Sequence, residues 1–169
     1  GELAAACVAG VFTLEDGLKL VEARARLMGD LELEPREESK RGVMAAVTGV
    51  SLEQVQGAIV GSSSSAGAGR VSIAAVNGPT QVVVSGERDA VEAAIGALPA
   101  GEARHKMLNV SNAFHSALMD PMLEEFERVA RGVSFRAPQI RVASNVSGRL
   151  VEAGDGSVFD AKYWRSHVR

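Results

Sequence analysis

The 169-residue sequence holds one cysteine, no run of lysine and arginine, and no long apolar stretch. Each shortage removes a class of protein. Cys7 alone cannot close an internal disulfide, which fits a reducing, cytoplasmic compartment. A net charge of −3 without a basic stripe argues against nucleic acid as a partner. A membrane-spanning helix needs about 20 consecutive apolar residues, and no such segment is present. The opening GELAAACVAG lacks the basic leader of a signal peptide and carries Glu2. Without that signal, the Asn-Val-Ser triplets at Asn109 and Asn145 carry little weight as glycosylation sites. The chain starts without Met and ends at Arg169 straight after YWRSHV, so both ends read as cut from something longer. What remains, 46% hydrophobic and 23% charged, is ordinary globular composition.

Helical and extended segments can be placed by period and punctuation. Residues 3–9 are small and apolar and read as a short buried helix ended by Gly10. Thr13 and Asp16 form a capping pattern, followed by Leu14, Leu18, Val21, Ala25 and Met28 at helical spacing. Residues 30–41, charged and interrupted by Pro35, read as a solvated loop. From Gly42 the order becomes strand (GVMAAVT), helix (Ser51 and Gln54 as capping box, then Leu52, Val55, Ile59), and a Gly/Ser-rich linker at 61–69. That linker lacks the Lys-Ser/Thr ending of a phosphate loop. Strands VSIAAV and QVVVS follow around an NGPT turn, then a helix marked by Val91, Ala94, Ile95 and Leu98, then a strand HKMLNV. Residues 42–110 therefore spell β-α-β-β-α-β, the ferredoxin-like unit. Beyond it, Asp120-Pro121 reads as a cap and first turn. Glu124/Arg128 and Glu127/Arg131 are surface ion pairs, and IRVASNV (140–146) is a further strand. The ferredoxin-like unit thus sits between two parts, 1–41 and 111–169, of an α/β core.

Two side chains invite a chemical reading. Arg24 lies in the row Leu20–Arg24–Met28, beside the apolar stripe, whereas Arg26 follows Glu22 by one turn as a surface ion pair. A guanidinium at 24 either snorkels past the core edge or grips a carboxylate through two parallel hydrogen bonds. His115 sits at a strand-to-helix junction, where side chains of α/β enzymes line a ligand crevice. It is either a packed ring or a general base, and a base needs a nucleophile within reach. Ser111 and Ser116 are poor candidates: neither stands in a Gly-x-Ser-x-Gly elbow, and Ser116 points away or caps the helix. His105, His115 and His167 share no metal-ligand spacing, so no metal is expected.

The segments GELAAACVAGVFTLEDGLKLVEARARLM, VSIAAVNGPTQVVVSGERDAV, VSNAFHSALMDPML and YWRSHVR, taken in order, resemble the acyltransferase domain of modular type I polyketide synthases. They are similar, more distantly, to malonyl-CoA:acyl carrier protein transacylases. The resemblance covers essentially the whole chain. It implies an α/β-hydrolase-like core, here partial, with an inserted ferredoxin-like subdomain. In that family the nucleophile is the serine of Gly-His-Ser-x-Gly-Glu. Gly1-Glu2 matches the last two positions, so the serine is expected two residues before Gly1, and the chain alone is expected to be inactive. The resemblance implies that Arg24 binds the substrate carboxylate and that His115 is the catalytic base. It further implies that His167 orients that base through a carbonyl. Asn77, in Asn77-Gly78-Pro79, matches a family turn near the substrate channel, and a structural turn explains it equally well.

By the same resemblance the complete domain transfers an extender unit from malonyl-CoA to the phosphopantetheine thiol of an acyl carrier protein. No cofactor of its own is implied, and the expected partners are that carrier and the other domains of the synthase. In the family His-Ala-Phe-His accompanies malonyl units and Tyr-Ala-Ser-His methylmalonyl units. Here Asn112-Ala113-Phe114-His115 keeps the malonyl pattern except at Asn112. Phe114 can fill the space an α-methyl group would need. Two other readings of the chain are a non-catalytic docking or regulatory module built on the ferredoxin-like unit, and a serine hydrolase; a carboxylate-selecting Arg24 argues against the latter.

Overall fold

A computed structural model describes residues 1–66 and 70–169 as a mixed α/β structure. It divides into two compact units. The first comprises Gly1–Asp30 and Met122–Val168, the second Leu31–Pro121 with Arg169. Among the described residues no helix is long and apolar enough to cross a membrane.

In the first unit, α1 (Glu2–Val8) is the expected short helix, but only Glu2 and Ala6 of its seven residues are buried. Ala9, which follows the helix, is also inside, whereas Val8 is exposed. Helix α2 (Leu14–Glu32) starts as expected: the Asp16 N–H donates to Thr13 Oγ1 at 3.1 Å, and the Thr13 hydroxyl donates to Asp16 Oδ2 at 3.0 Å. The buried face is not the expected stripe. Of the expected residues Leu14, Leu18, Val21 and Ala25 are exposed and only Met28 is buried, and the core also takes Leu20, Ala23 and Leu27. The helix carries two apolar rows, and period alone cannot say which one meets the core. Its last turn also extends into the expected loop, of which Glu38–Lys40 forms a 3-10 turn.

The rest of that unit is built around Trp164. This ring, 1% exposed, lies edge-on to Phe12 (centroids 5.7 Å apart) and Tyr163 (5.2 Å) and stacks on Phe159 (6.0 Å). It stands on α6 (Ala161–Val168). Helix α5 (Asp120–Ala130) packs Met122, Leu123, Phe126 and Ala130 inward. Asp120 does not cap α5 from outside. Its backbone is already helical, because the 3-10 turn Ala117–Met119 runs directly into α5 and the cap moves back to Ser116. The ion pairs differ as well. Arg128 meets Glu125 at 2.6 Å rather than Glu124, and Arg26 meets Asp30 at 3.7 Å rather than Glu22. Arg131 does meet Glu127, but Glu127 is buried and also holds Arg165 at 2.7 Å. The strand expected over 140–146 shrinks to β5 (Val142–Ala143), paired with β6 (Leu150–Val151). A turn ends it: Gly148 N–H donates to the Ser144 carbonyl at 2.8 Å and Ser147 N–H to Ser144 Oγ at 3.1 Å.

The second unit contains β1 (Gly42–Thr48), α3 (Leu52–Ala66), β2 (Val71–Gly78), β3 (Gln81–Glu87), α4 (Arg88–Gly96) and β4 (Arg104–Met107). The strands form one antiparallel sheet in the order β2-β3-β1-β4. Val43, Ala45 and Val47 of β1 join Val82 and Val84 of β3 on one face, with Val55 and Ala58 of α3 and Val91 of α4 against them. Burying one such valine contributes about 1.5–3 kcal/mol. The Ser51–Gln54 box caps α3 in both directions, at 2.8 and 3.3 Å. Of the expected linker, residues 61–66 continue α3, and 67–69 lie outside the described residues. Gly49 turns the chain out of β1 with φ +88°, and a Cβ there would stand 2.3 Å from the Glu102 carbonyl oxygen. Strand β4 stops earlier than the alternation of HKMLNV suggests. Leu108 N–H still reaches Met44 O at 2.9 Å, but Val110 N–H turns back onto Leu108 O at 3.1 Å, a γ-turn hydrogen bond that ends the ladder.

Candidate active site

His115 is held in an unusual backbone. Its φ is +59°, and among the described residues no other non-glycine has positive φ. The left-handed region is uncommon for a side chain with a Cβ, and it persists only where neighbours enforce it. Ser116, 1% exposed, does so here. Its hydroxyl donates to the Ala113 carbonyl at 2.6 Å and accepts from Leu118 N–H at 3.3 Å, and Met119 N–H returns to the Ser116 carbonyl at 3.0 Å. Ser116 therefore caps the 3-10 turn, one of the two roles expected for it. Asn112 and Ala113 are buried, Phe114 and His115 half-buried. One tight turn thus brings Asn112, Phe114 and His115 together. Asn77 is elsewhere. It is exposed near the hairpin end of β2, where the register pairs Gly78, Gln81 and Thr48, whereas the His115 turn packs on Gly42 at the other end of β1. Six residues of strand, roughly 20 Å, separate those ends.

Arg24 belongs to the first unit. It is half-buried in the row between Leu20 and Met28, both of which face the core. Burial alone pushes its guanidinium below the usual range, and among the described residues no carboxylate pairs with it. A partly desolvated cation without a counter-charge is costly, and an incoming carboxylate would relieve that cost.

His167 also lies in the first unit, on α6, in a buried polar cluster that the sequence did not disclose. Its Nε2 stands 3.1 Å from Oε2 of Glu2, and its ring packs against Trp164 at 5.5 Å. The Glu2 carboxylate, 5% exposed, also accepts from the Tyr163 hydroxyl and, at 3.1 Å, from the Asn145 N–H. Ser144 Oγ lies 2.9 Å from the same hydroxyl. Burial, and then the bond to Glu2, raises the tyrosine's pKa above its ordinary value, so it stays a donor. The one available sequence signal was a single acid opening an otherwise apolar helix. Its partners come from the far end of the chain, beyond the reach of local pattern.

Comparison with known proteins identifies the family. The chain belongs to the acyl transferase domain family, whose model matches residues 1–169. Within it, the chain is 45% identical over its whole length to a type I polyketide synthase of phenolphthiocerol synthesis from Mycobacterium marinum, and 44% identical to mycoketide-CoA synthase of Mycobacterium tuberculosis. It spans 7% and 4% of those proteins. Among solved structures, it matches the acyltransferase domain from the second module of the salinomycin polyketide synthase with a TM-score of 0.83 and 44% identity, covering all of this chain and 36% of that one. The malonyl CoA-acyl carrier protein transacylase of Clostridium perfringens matches with a TM-score of 0.84 and 32% identity, covering 100% of this chain and 50% of that one. The resemblance read from the sequence is therefore borne out.

Proposed function

We propose that this chain is part of an acyltransferase domain that moves a malonyl extender unit from malonyl-CoA to the phosphopantetheine thiol of an acyl carrier protein, within a cytoplasmic polyketide synthase. The nucleophile is a serine two residues before Gly1. Its Oγ attacks the thioester carbonyl while His115 takes the proton, and the tetrahedral intermediate expels CoA as the carbon–sulfur bond breaks, His115 returning the proton to sulfur. The carrier's thiol then attacks the serine ester in the mirror of the first step. His167 orients His115 through its carbonyl, and the backbone N–H following the serine supplies an oxyanion donor. In this reading residues 42–110 are a ferredoxin-like insert in an α/β-hydrolase-like core, which the β-α-β-β-α-β order and the antiparallel sheet support.

The observation that carries the proposal is Arg24, a desolvated guanidinium without a carboxylate partner among the described residues, in a family of acyltransferases. It suits an acyl group that brings its own carboxylate and favours malonyl over acetyl. Phe114, beside the base, favours malonyl over methylmalonyl, with Asn112 and Asn77 as further substrate-side residues. The test is transfer from malonyl-CoA, acetyl-CoA and methylmalonyl-CoA to carrier protein by the complete domain, with release to water measured alongside. Preferred malonyl transfer to the carrier supports the proposal. Dominant release to water would make the protein a hydrolase, and no turnover would leave a docking module.

A further inference from the structure

Gly42 opens β1 on the face opposite Val43, Ala45 and Val47, and that face carries the His115 turn. A Cβ at Gly42 would stand 3.0 Å from Ala113 N, 3.1 Å from Ala113 Cβ and 3.3 Å from Leu118 Cδ1. Non-bonded carbons settle at about 3.5–4.0 Å, so one added methyl asks its neighbours to withdraw by roughly half an ångström. The nearest of them is backbone, and it cannot yield by changing rotamer.

The turn is tied to itself. Ser116 links Ala113 to Leu118, and His115 keeps its left-handed φ within that link. Next to it lies a cavity of about 190 Å³, lined by Asn112, Ala113, Leu118 and Met119 of the turn and by Leu31 and Arg41 from the preceding segment. A turn braced internally, with free volume on its flank, answers a push by moving as a body rather than by losing its shape.

We infer that Gly42 is a positioning and specificity-determining residue, whose missing side chain sets the height at which Phe114 and His115 are presented. The inference rests on the proposed roles of those two residues. Bulk at 42 displaces both together, so it alters the rate of serine acylation and the discrimination at the substrate's α-carbon at once. A misplacement of 1 Å remote from the chemistry can cost about 100-fold in rate, and half that distance is expected to cost roughly tenfold.

The experiment uses the complete domain. Gly42→Ala is compared with Gly57→Ala, an exposed glycine of α3 where a Cβ meets nothing within 4 Å. Read out are the single-turnover acylation rates with malonyl-CoA and methylmalonyl-CoA, KM for each, and Tm. Alanine suits a strand at least as well as glycine, so Tm is expected to hold. The expected result for Gly42→Ala is a roughly tenfold slower malonyl acylation, little change in KM, and a malonyl-to-methylmalonyl ratio shifted at least about threefold. Gly57→Ala should leave both rates, KM and the ratio unchanged, with Tm if anything slightly raised, since alanine favours a helix interior over glycine. Adding Ala113→Gly, which removes the Cβ met at 3.1 Å, should recover part of the loss. A folded Gly42→Ala domain with unaltered rate and ratio overturns the inference. If Gly42→Ala proves unstable, combining it with Leu118→Val relieves the Cδ1 contact at 3.3 Å while the backbone contact at 3.0 Å remains, and an unaltered rate and ratio in that folded double variant overturn it equally. His115→Ala run alongside separates the two failures: if it abolishes acylation while Gly42→Ala is silent, only this inference falls.

Discussion

His167 Nε2 stands 3.1 Å from Oε2 of Glu2, joining the last helix of the chain to the first. With the Tyr163 hydroxyl and the Asn145 N–H on the same carboxylate, Glu2 is the hub of the buried polar cluster in its unit. Tyr163→Phe removes one donor and leaves the carboxylate short of a partner, which costs about 1–3 kcal/mol for a buried group. Urea unfolding of the complete domain should show this loss, with the slope unchanged. Equal midpoints for variant and parent would show that the cluster is satisfied by water instead.

Glu127 gives the fold an acid-sensitive element. Hydrogen bonds from Arg165, and then from Arg131, hold its carboxyl below the ordinary 4.5. A group whose folded pKa is depressed contributes stability that is complete above its unfolded pKa and is lost as pH falls through the folded one. Glu127→Gln should therefore be less stable than the parent at pH 7, and the gap should close as pH falls from about 5 toward 3. A gap independent of pH would assign the loss to packing.

Local chemistry made much of the fold legible. Both capping boxes, Thr13 with Asp16 and Ser51 with Gln54, hold within three residues of sequence and close as read. Choices between equivalent patterns did not. Helix α2 has two apolar rows, and only tertiary contact selects Leu20 and Leu27 over Leu14 and Leu18. The serines after Gly61 suggest flexibility by composition, yet the helix begun at Leu52 runs on to Ala66. Arg24 and His115, one in each unit, stood out by residue type and neighbourhood. The seat on Gly42 and the Glu2 hub depend on contacts distant in sequence, which no local pattern encodes, and the φ of +59° at His115, though braced locally by Ser116, has no signature in residue type.

Arg24→Ala in the complete domain should slow malonyl transfer and relatively favour acetyl-CoA. Losing a charge-assisted hydrogen-bond pair to a substrate costs roughly 1.5–3 kcal/mol, about 10–100-fold in the malonyl-to-acetyl ratio of kcat/KM. Arg26→Ala, which breaks only the exposed pair with Asp30, is the control and should do little. An unchanged ratio in Arg24→Ala would leave Arg24 a snorkelling residue.

Phe114→Ser should admit methylmalonyl-CoA more readily. One methylene in a pocket is worth about 1–3 kcal/mol, so the ratio of the two extenders in direct competition is expected to move by roughly tenfold. A parent domain that already prefers methylmalonyl would refute the specificity, and a ratio unmoved by the substitution would refute its steric cause.

The most direct measurement is the single-turnover rate at which the complete domain forms its acyl-enzyme from malonyl-CoA, with and without His115→Ala. A general base contributes about 10²–10⁴-fold. The expected result is a loss of that size in the acylation rate, with malonyl-CoA binding nearly intact. Acylation at the parent rate in His115→Ala would contradict the assignment of His115 as the base and leave its left-handed turn a structural feature alone.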